Sequence, residues 1–348
     1  MNPEDLKVKT LPLHRALKEL DLPALNRNLF SSPDWMSVIY KTYRTRLFIK
    51  YIEREGKVAS YILYAAVKNF LEWKICIASY CDYCDGYVQK VEDWQAFFDS
   101  LKEEYPQYRI AIRSLRDEIV RQVPGINELS RERFHVLDVR DDTEKVWRRT
   151  TDSFRAAVRQ SERQGVVVKR CEKSELKKFY DLHLQVRKYK HHVFPQPYRF
   201  FDIIWQEYMD QGKGALLGAY DKDGVFIGGN IFLECGNTLY YKFNTSLHTA
   251  LKLRPNNRLF WEGMKYAKEK NLGYIDLGSS GYDQKGLILF KNQTGAKMMD
   301  IVHLGYHPDG YKFSEKRILR FVTKICTLPW MPDSVLRVGS HLMYPFLA

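Results

Sequence analysis

The sequence predicts an α/β (α+β) protein of two halves, each a mixed, mostly antiparallel sheet flanked by helices. Three observations carry this. At 348 residues the chain exceeds the usual size of one core. Two hairpin signals, Arg54-Glu55-Gly56-Lys57 and Asp221-Lys222-Asp223-Gly224, each lie between strand-forming runs. Each half also runs in one order: strand meander, helix, strand. No residue-level repeat accompanies that order, so the duplication is read at the level of fold. The expected divisions are 1–140, 141–312 and a basic amphipathic tail, 313–348.

In the first half, Ser31-Ser32-Pro33-Asp34 reads as a helix start, with Trp35, Ile39 and Tyr43 at four-residue spacing behind it. Leu47 to Ile52 and Val58 to Val67 read as hairpin strands, and Leu71 to Ala78 continues the meander. Val91 to Tyr105 is an amphipathic helix and Tyr108 to Ile112 a strand. In the second half, Val166 to Lys169 reads as a strand. Glu175 to Lys188 and Arg199 to Gln211 read as helices. Ala215 to Tyr220, Val225 to Leu233 and Thr238 to Asn244 follow as strands. The helix from Asn256 to Lys270 carries Phe260, Met264 and Ala267 on one face.

The stretch from Leu272 to Tyr306 organises the functional reading. Gly273-Tyr274-Ile275-Asp276-Leu277 alternates like a strand, and Gly278-Ser279-Ser280-Gly281 is expected to break it. An apolar run, Gly286 to Phe290, ends in Lys291, and Thr294-Gly295 is a second break. A cation in that place either aims into a cleft or ends a buried segment at the surface.

Net charge is +13, which favours anionic partners. Asp141 to Arg163 reads as one basic helix, with Arg148, Arg155 and Arg159 near one face. It suits a phosphate grip or a solvated linker equally. The tail mixes Lys316, Arg317, Arg320, Lys324 and Arg337 with Phe321, Leu328, Trp330 and Leu336. Such a mixture suits an interfacial membrane helix or a helix docked on its own domain. No apolar run is long enough to span a bilayer and no basic-then-apolar leader opens the chain. A cytoplasmic location, or one at the inner face of the cytoplasmic membrane, is expected. Of the six cysteines, Cys81 and Cys84 form a lone CxxC without a second ligand pair, so no metal site is expected.

The meander–helix–strand order resembles the GNAT acyltransferase fold, in which splayed parallel strands open a cleft and the next helix N-terminus holds a pyrophosphate. Here the loop before that helix is Leu253-Arg254-Pro255-Asn256-Asn257-Arg258, without the family's glycines. Arg254-Pro255-Asn256-Asn257 with Leu259 and Trp261, then Tyr274 to Gly278, then Phe290-Lys291-x-x-x-Gly295, resembles the second half of FemABX-type transferases. Ser31-x-Pro33-x-Trp35, Tyr80-Cys81-Asp82-Tyr83 and Ser153-x-Arg155 through Gly165-Val166 resemble the same group's first half and linker. The resemblance covers about Ser31 to Gly310 and lies nearest FemAB-related proteins of bacterial envelope and exopolysaccharide synthesis.

It implies two tandem GNAT-like domains and transfer of an acyl or aminoacyl group to an amine of an envelope, sugar or peptide precursor. No tightly bound cofactor is implied; acyl-CoA or aminoacyl-tRNA serves as co-substrate. The family's catalytic lysine falls on Lys291 and its first-domain aspartate on Asp82. Its tyrosine after the third strand falls on Tyr240 or Tyr241, with Tyr241 the assigned contact. Tyr83, Arg155, Arg159, Asn256, Asn257, Asp276 and Phe290 complete the expected substrate-binding set. An amine that attacks a carbonyl must lose a proton while the oxygen gains charge. Asp82 is the candidate to orient or deprotonate it, or else a structural turn residue. Lys291, with a backbone N–H near Phe290, is the candidate oxyanion holder. Cys84 and Asp85 replace two family glycines, which leaves the acceptor and the use of tRNA open. Expected partners are an anionic small-molecule or lipid-linked acceptor, aminoacyl-tRNA, and a membrane surface met by the tail. The competing reading is a non-catalytic scaffold of the same fold in a membrane-associated complex. An RNA-binding module ranks last, since no RRM or KH signature is present.

Overall fold

The computed structural model describes residues 7–68, 73–77, 80–310 and 317–344. Its contacts divide the described residues into two compact units, one of residues 7–132 and 300–310, the other of residues 133–299 and 317–344.

In the first unit, β1 (Lys9–Pro12) leads into α1 (Leu13–Glu19), and α2 spans Pro33–Tyr43. Ser32 caps α2 by accepting the Trp35 N–H at 3.2 Å, and Pro33 fills the first helical position, where its missing donor costs nothing. The sheet follows as β2 (Phe48–Arg54), β3 (Lys57–Lys68) and β4 (Trp73–Ile77). Glu55 and Gly56 join β2 to β3 with φ of 52° and 73°, the two left-handed residues of a primed hairpin turn. The read strand Leu71–Ala78 corresponds to β4 in its described part; Leu71, Glu72 and Ala78 lie outside the described residues. Helix α3 (Val91–Glu104) buries Trp94, Phe97, Phe98 and Leu101 on the sheet, and β5 (Arg109–Ser114) pairs parallel to β4. A buried carboxylate, Asp93, is matched by Arg54 at 2.9 Å and by the Ser60 hydroxyl. Its desolvation is thereby offset, and its pKa stays below the usual carboxylate value.

The division between units falls inside β6 (Asn127–Asp138), a strand absent from the sequence reading because its first half, Asn127 to Arg133, is almost wholly polar. The expected single helix from Asp141 to Arg163 is two, α4 (Thr143–Arg149) and α5 (Asp152–Arg163). Thr151 breaks them apart by capping α5 through the Phe154 N–H. Then come β7 (Val167–Arg170), α6 (Leu176–Val186), α7 (Tyr198–Ile204), β8 (Gly214–Tyr220), β9 (Phe226–Cys235) and β10 (Thr238–Ser246). Asp221 shapes the β8–β9 turn by accepting the N–H groups of Asp223 and Val225 at 3.0 and 2.9 Å. Helix α8 (Pro255–Glu269) crosses back to β11 (Tyr274–Ser280), which pairs parallel to β10, and α9 covers Lys285–Gln293. The second unit's strand order is β6-β11-β10-β9-β8-β7. Its core joins Phe154 and Val158 of α5 to Leu259, Phe260 and Met264 of α8 over Phe232, Leu239 and Ile275. Gly263 lets α8 lie on the Phe232 ring, where any Cβ would collide.

Residues 302–306 of β12 (Lys297–Tyr306) pair antiparallel to β5 in the first unit, completing the order β1-β2-β3-β4-β5-β12 there. A linear division at 312 assigns this strand to the second half; contacts assign it to the first. The strand order within each unit matches the expected tandem, mostly antiparallel architecture flanked by helices. The tail holds α10 (Arg317–Cys326) and α11 (Asp333–Met343), both in the second unit. Phe313 to Lys316 and the last four residues lie outside the described residues. Among the described residues no helix is long and apolar enough to cross a membrane.

Candidate functional site

In the second unit, β10 and β11 share only three register pairs, Thr238↔Tyr274, Leu239↔Ile275 and Tyr240↔Asp276. Past that point each strand bulges. β10 shifts against β9 between Tyr241 and Phe243, and β11 shifts against β6 between Asp276 and Ser279. A bulge bends its strand and ends pairing on one side, so the two strands part after Tyr240 and Asp276. The expected break at Gly278-Ser279-Ser280 is therefore a bulge inside β11, which runs on to Ser280. Gly278 occupies the left-handed region with φ of 68°, where a side chain is strained.

Two charged side chains brace this bulge. Asp276 is buried and accepts the Gly278 N–H at 2.7 Å. Lys291, projecting from α9 and only 2% exposed, donates to the carbonyl oxygens of Gly278 and Ser279, each at 2.9 Å. Its positive charge therefore lies at the parted end of β11. His135 of β6 is buried and bonds Asn292 at 2.9 Å, and burial followed by the Lys291 charge holds its pKa below the ordinary histidine value.

Aromatic rings line the adjoining core. Phe290 packs 5.9 Å from Phe260 and 6.3 Å from Phe154, and Tyr241 meets Phe260 at 5.3 Å. Burial pushes the Tyr241 phenol pKa up. Phe290 sits inside α9, where amide groups bond carbonyls four residues back, so its N–H is engaged in the helix. At the start of α8, Arg254 is left-handed with φ of 58° and Pro255 removes one donor. Asn256 accepts from Asn244 at 3.1 Å, and Asn244 donates in turn to Asn230 at 2.6 Å. The buried Asn230 amide nitrogen has no partner. Asn257 is half-buried. Asn230 and Asn244 escaped the sequence reading; the signal was an asparagine, a residue depleted in strands, inside each of two strands.

A family model described as an acetyltransferase (GNAT) domain matches residues 148–286. Those residues fall within the second unit. Solved structures similar to most of the chain include FemX (TM-score 0.64, 15% identity, 84% of this chain and 94% of that one). Another is L-PGS from Bacillus licheniformis (0.53, 12%, 94% and 95%). A tandem GNAT protein from the clavulanic acid biosynthesis pathway is a third (0.57, 10%, 88% and 100%). Likeness at these identities is one of fold. It bears out the tandem GNAT-like architecture and the FemABX-type resemblance drawn from the motifs. No curated protein matches the chain by sequence.

The helix expected from the sequence to face a pyrophosphate is α8, and its first turn offers the amides Asn256 and Asn257 rather than glycine backbone. Arg258, one turn in, is paired with Glu162 and with Glu262, the latter at 3.0 Å. Of the two linker arginines, Arg155 closes the end of α4: it donates to the carbonyls of Thr150, Arg148 (3.1 Å) and Trp147 (3.3 Å), and pairs with Asp152. Arg159 is exposed over the Trp147 ring at 5.9 Å. Arg148, on the separate α4, pairs with Glu144.

In the first unit, Asp82 and Tyr83 lie on the loop from Tyr80 to Gly86. Tyr83 is buried against Phe30 at 5.3 Å. The loop is tied to β5 by Arg113, which donates to the Cys81 carbonyl at 2.8 Å, and by the Cys84 N–H on the Arg113 carbonyl at 2.9 Å. Asp85 accepts from the Leu115 and Arg116 N–H groups at 2.9 and 3.1 Å and from the Ser114 hydroxyl at 3.1 Å. Asp82 is half-buried on the loop so held. Cys81 and Cys84 are buried free thiols, and among the described residues no group of side chains could hold a metal ion.

Proposed function

We propose that this chain is an N-acyl- or aminoacyltransferase acting on an amine of a cell-envelope, sugar or peptide precursor. The observation that carries the reading is the pair of bulges that part β10 from β11 within a GNAT domain. In the reaction the amine nitrogen bonds to the donor's carbonyl carbon, the bond to the leaving group breaks, and the amine gives up a proton. The leaving group is the CoA thiolate from an acyl-CoA, or the terminal ribose oxygen from an aminoacyl-tRNA. Asp82 orients the amine or takes its proton. Lys291 supplies positive charge where the carbonyl oxygen becomes anionic, a role favoured in a site from which water is excluded. Tyr83, Tyr241, Asn256 and Asn257 contact substrate. Asp276 and Phe290 hold the bulge and the aromatic wall that shape the contact surface. Arg159 is better exposed than Arg155 for a phosphate. The net charge of +13 favours an anionic acceptor, free or lipid-linked.

The deciding experiment is thermal denaturation against acetyl-CoA, longer acyl-CoAs, and charged or uncharged tRNA. A donor at a hundred times its Kd stabilises by about 2.7 kcal/mol. A shift with acyl-CoA, or with charged tRNA only, supports transfer and names the donor class; no shift with any of them overturns it. The scaffold reading is favoured by one observation, the Lys291 ammonium already bonded to the Gly278 and Ser279 carbonyls of β11.

A further inference from the structure

Helix α11 is amphipathic in an unusual sense, because both its faces carry apolar residues. Its inner face is docked: Leu336 and Ser340 are fully buried, and Gly339 lies against the Phe194 ring. Two ion pairs fix the seating. The buried Lys188 ammonium donates to Asp333 at 2.8 Å and to the Met331 carbonyl at 2.7 Å, and Arg337 donates to Asp181 at 2.9 Å. Docking therefore does not consume the outer face. Val335, Val338 and Leu342 recur there at i, i+3 and i+7, one stripe of a helix, with Val338 60% and Leu342 61% exposed. Trp330, in the turn before α11, is 73% exposed, and Phe321 of α10 is 66% exposed. Five large apolar side chains held out of a short helical segment carry a cost in water unless something covers them.

Charge says what covers them. Residues 317–344 contain four arginines and lysines against one acid, and that acid, Asp333, is held by Lys188. Arg317, Arg320 and Lys324 recur along the sequence of α10 at i, i+3 and i+7. A partner must thus offer an apolar interior beneath an anionic rim. We infer that the outer face of α11, with Trp330 and Phe321, seats on the surface of an anionic phospholipid bilayer. The aliphatic stripe enters the boundary between headgroups and acyl chains, and Trp330 sits at headgroup level. The exposed Lys324 of α10 meets the lipid phosphates. The Lys188–Asp333 and Arg337–Asp181 pairs hold the helix so that this face, and not its docked one, meets the lipid. The inference is independent of the transfer chemistry, since vesicle binding needs neither donor nor acceptor.

The test is co-sedimentation of the full chain with vesicles of phosphatidylcholine alone, or with about one lipid in three replaced by phosphatidylglycerol. Binding at least tenfold stronger to the anionic vesicles, and weakened by added salt, is expected. The double variant Val338→Asp with Leu342→Asp should lose that binding by about tenfold or more while keeping its melting temperature. Should that variant fail to fold, Trp330→Ser, altered in an exposed turn, carries the same expectation at smaller size. A chain that stays in the supernatant with anionic vesicles overturns the inference. So does one that instead forms a dimer by sedimentation which the double variant dissolves.

Discussion

The Lys291 ammonium lies 2.9 Å from the carbonyl oxygen of Gly278, which sits inside the bulge of β11 against β6, just past the last residue of β11 paired to β10. One side chain therefore both fixes the parting of the strands and brings a positive charge to it. Removing it exposes the two roles separately. Lys291→Met keeps the length of the stem but leaves the Gly278 and Ser279 carbonyls without this buried donor, at about 1–3 kcal/mol for each unsatisfied group. Urea denaturation should record a loss of about 2–4 kcal/mol. Transfer measured well below the variant's melting point should fall by at least about a hundredfold, as for lost oxyanion donors. Full stability would remove the structural role, and undiminished transfer would remove the catalytic one.

Asp85 and Asp82 are neighbours in sequence with different work. Asp85 collects backbone donors from Leu115 and Arg116 and the Ser114 hydroxyl, closing the loop on the end of β5. Asp85→Ala should cost about 2–3 kcal/mol of stability, read by chemical denaturation, because several donors lose one acceptor. Asp82→Asn should cost less than that and act on transfer instead, mainly through kcat. The reverse ranking, with Asp82 the larger stability loss, would make it the turn residue and end its candidacy as the amine's partner.

Much of this was legible in the sequence, and the limits have physical causes. The Glu55-Gly56 and Asp221–Gly224 hairpins were readable because turn chemistry is local: it depends on which residues tolerate φ above zero or fold a carboxylate onto nearby amides. Helix α8 was readable from its periodicity and its Pro255 start. The bulges at Tyr241–Phe243 and Asp276–Ser279 were not, because a bulge is a mismatch of register with a partner strand and leaves no local pattern. β6 was missed since its polar first half lacks alternation. Arg155 was open equally to a phosphate grip or a solvated linker because spacing alone assumed one continuous helix; the break at Thr150-Thr151 turns its guanidinium onto the carbonyls of Trp147, Arg148 and Thr150. That β12 joins the first unit is a long-range pairing no window of sequence contains.

The lone CxxC yields a prediction about reactivity. Burial, then the neighbouring Cys81 and Asp85, pushes the Cys84 thiol well above its usual pKa, and burial pushes Cys171 up to about 11. Thiolate is the reacting form, so both should resist modification in the folded protein. With a thiol reagent at pH 8, Cys235 and Cys326, which are half-buried, should label first. Cys81, Cys84 and Cys171 should label only as urea unfolds the chain. Rapid labelling of Cys84 under native conditions would reopen a redox role for the pair.

His183 sets an acid limit on stability. It is buried on α6, bonded to Gln196 at 2.9 Å and 5.1 Å from the Phe201 ring. Burial, followed by the Arg187 charge, pushes its pKa down to about 3, against about 6.5 in an unfolded chain. Between those values the unfolded state holds one more proton than the folded state. Unfolding free energy must then fall as pH falls through that window, by about 1.4 kcal/mol per unit, and the loss is absent above about pH 6.5. From pH 6.5 to 4.5 this one residue should remove about 2–3 kcal/mol. His183→Leu should be less stable than the parent at pH 7, since Gln196 loses its partner. Its stability should nevertheless decline less steeply into acid, so the two curves converge and approach a crossing near pH 5. Urea midpoints at several pH values measure both slopes, and the difference between them isolates His183 from every other titrating group. Parallel curves would mean that the imidazole takes up its proton inside the fold, with the Gln196 contact rearranged to admit the charge.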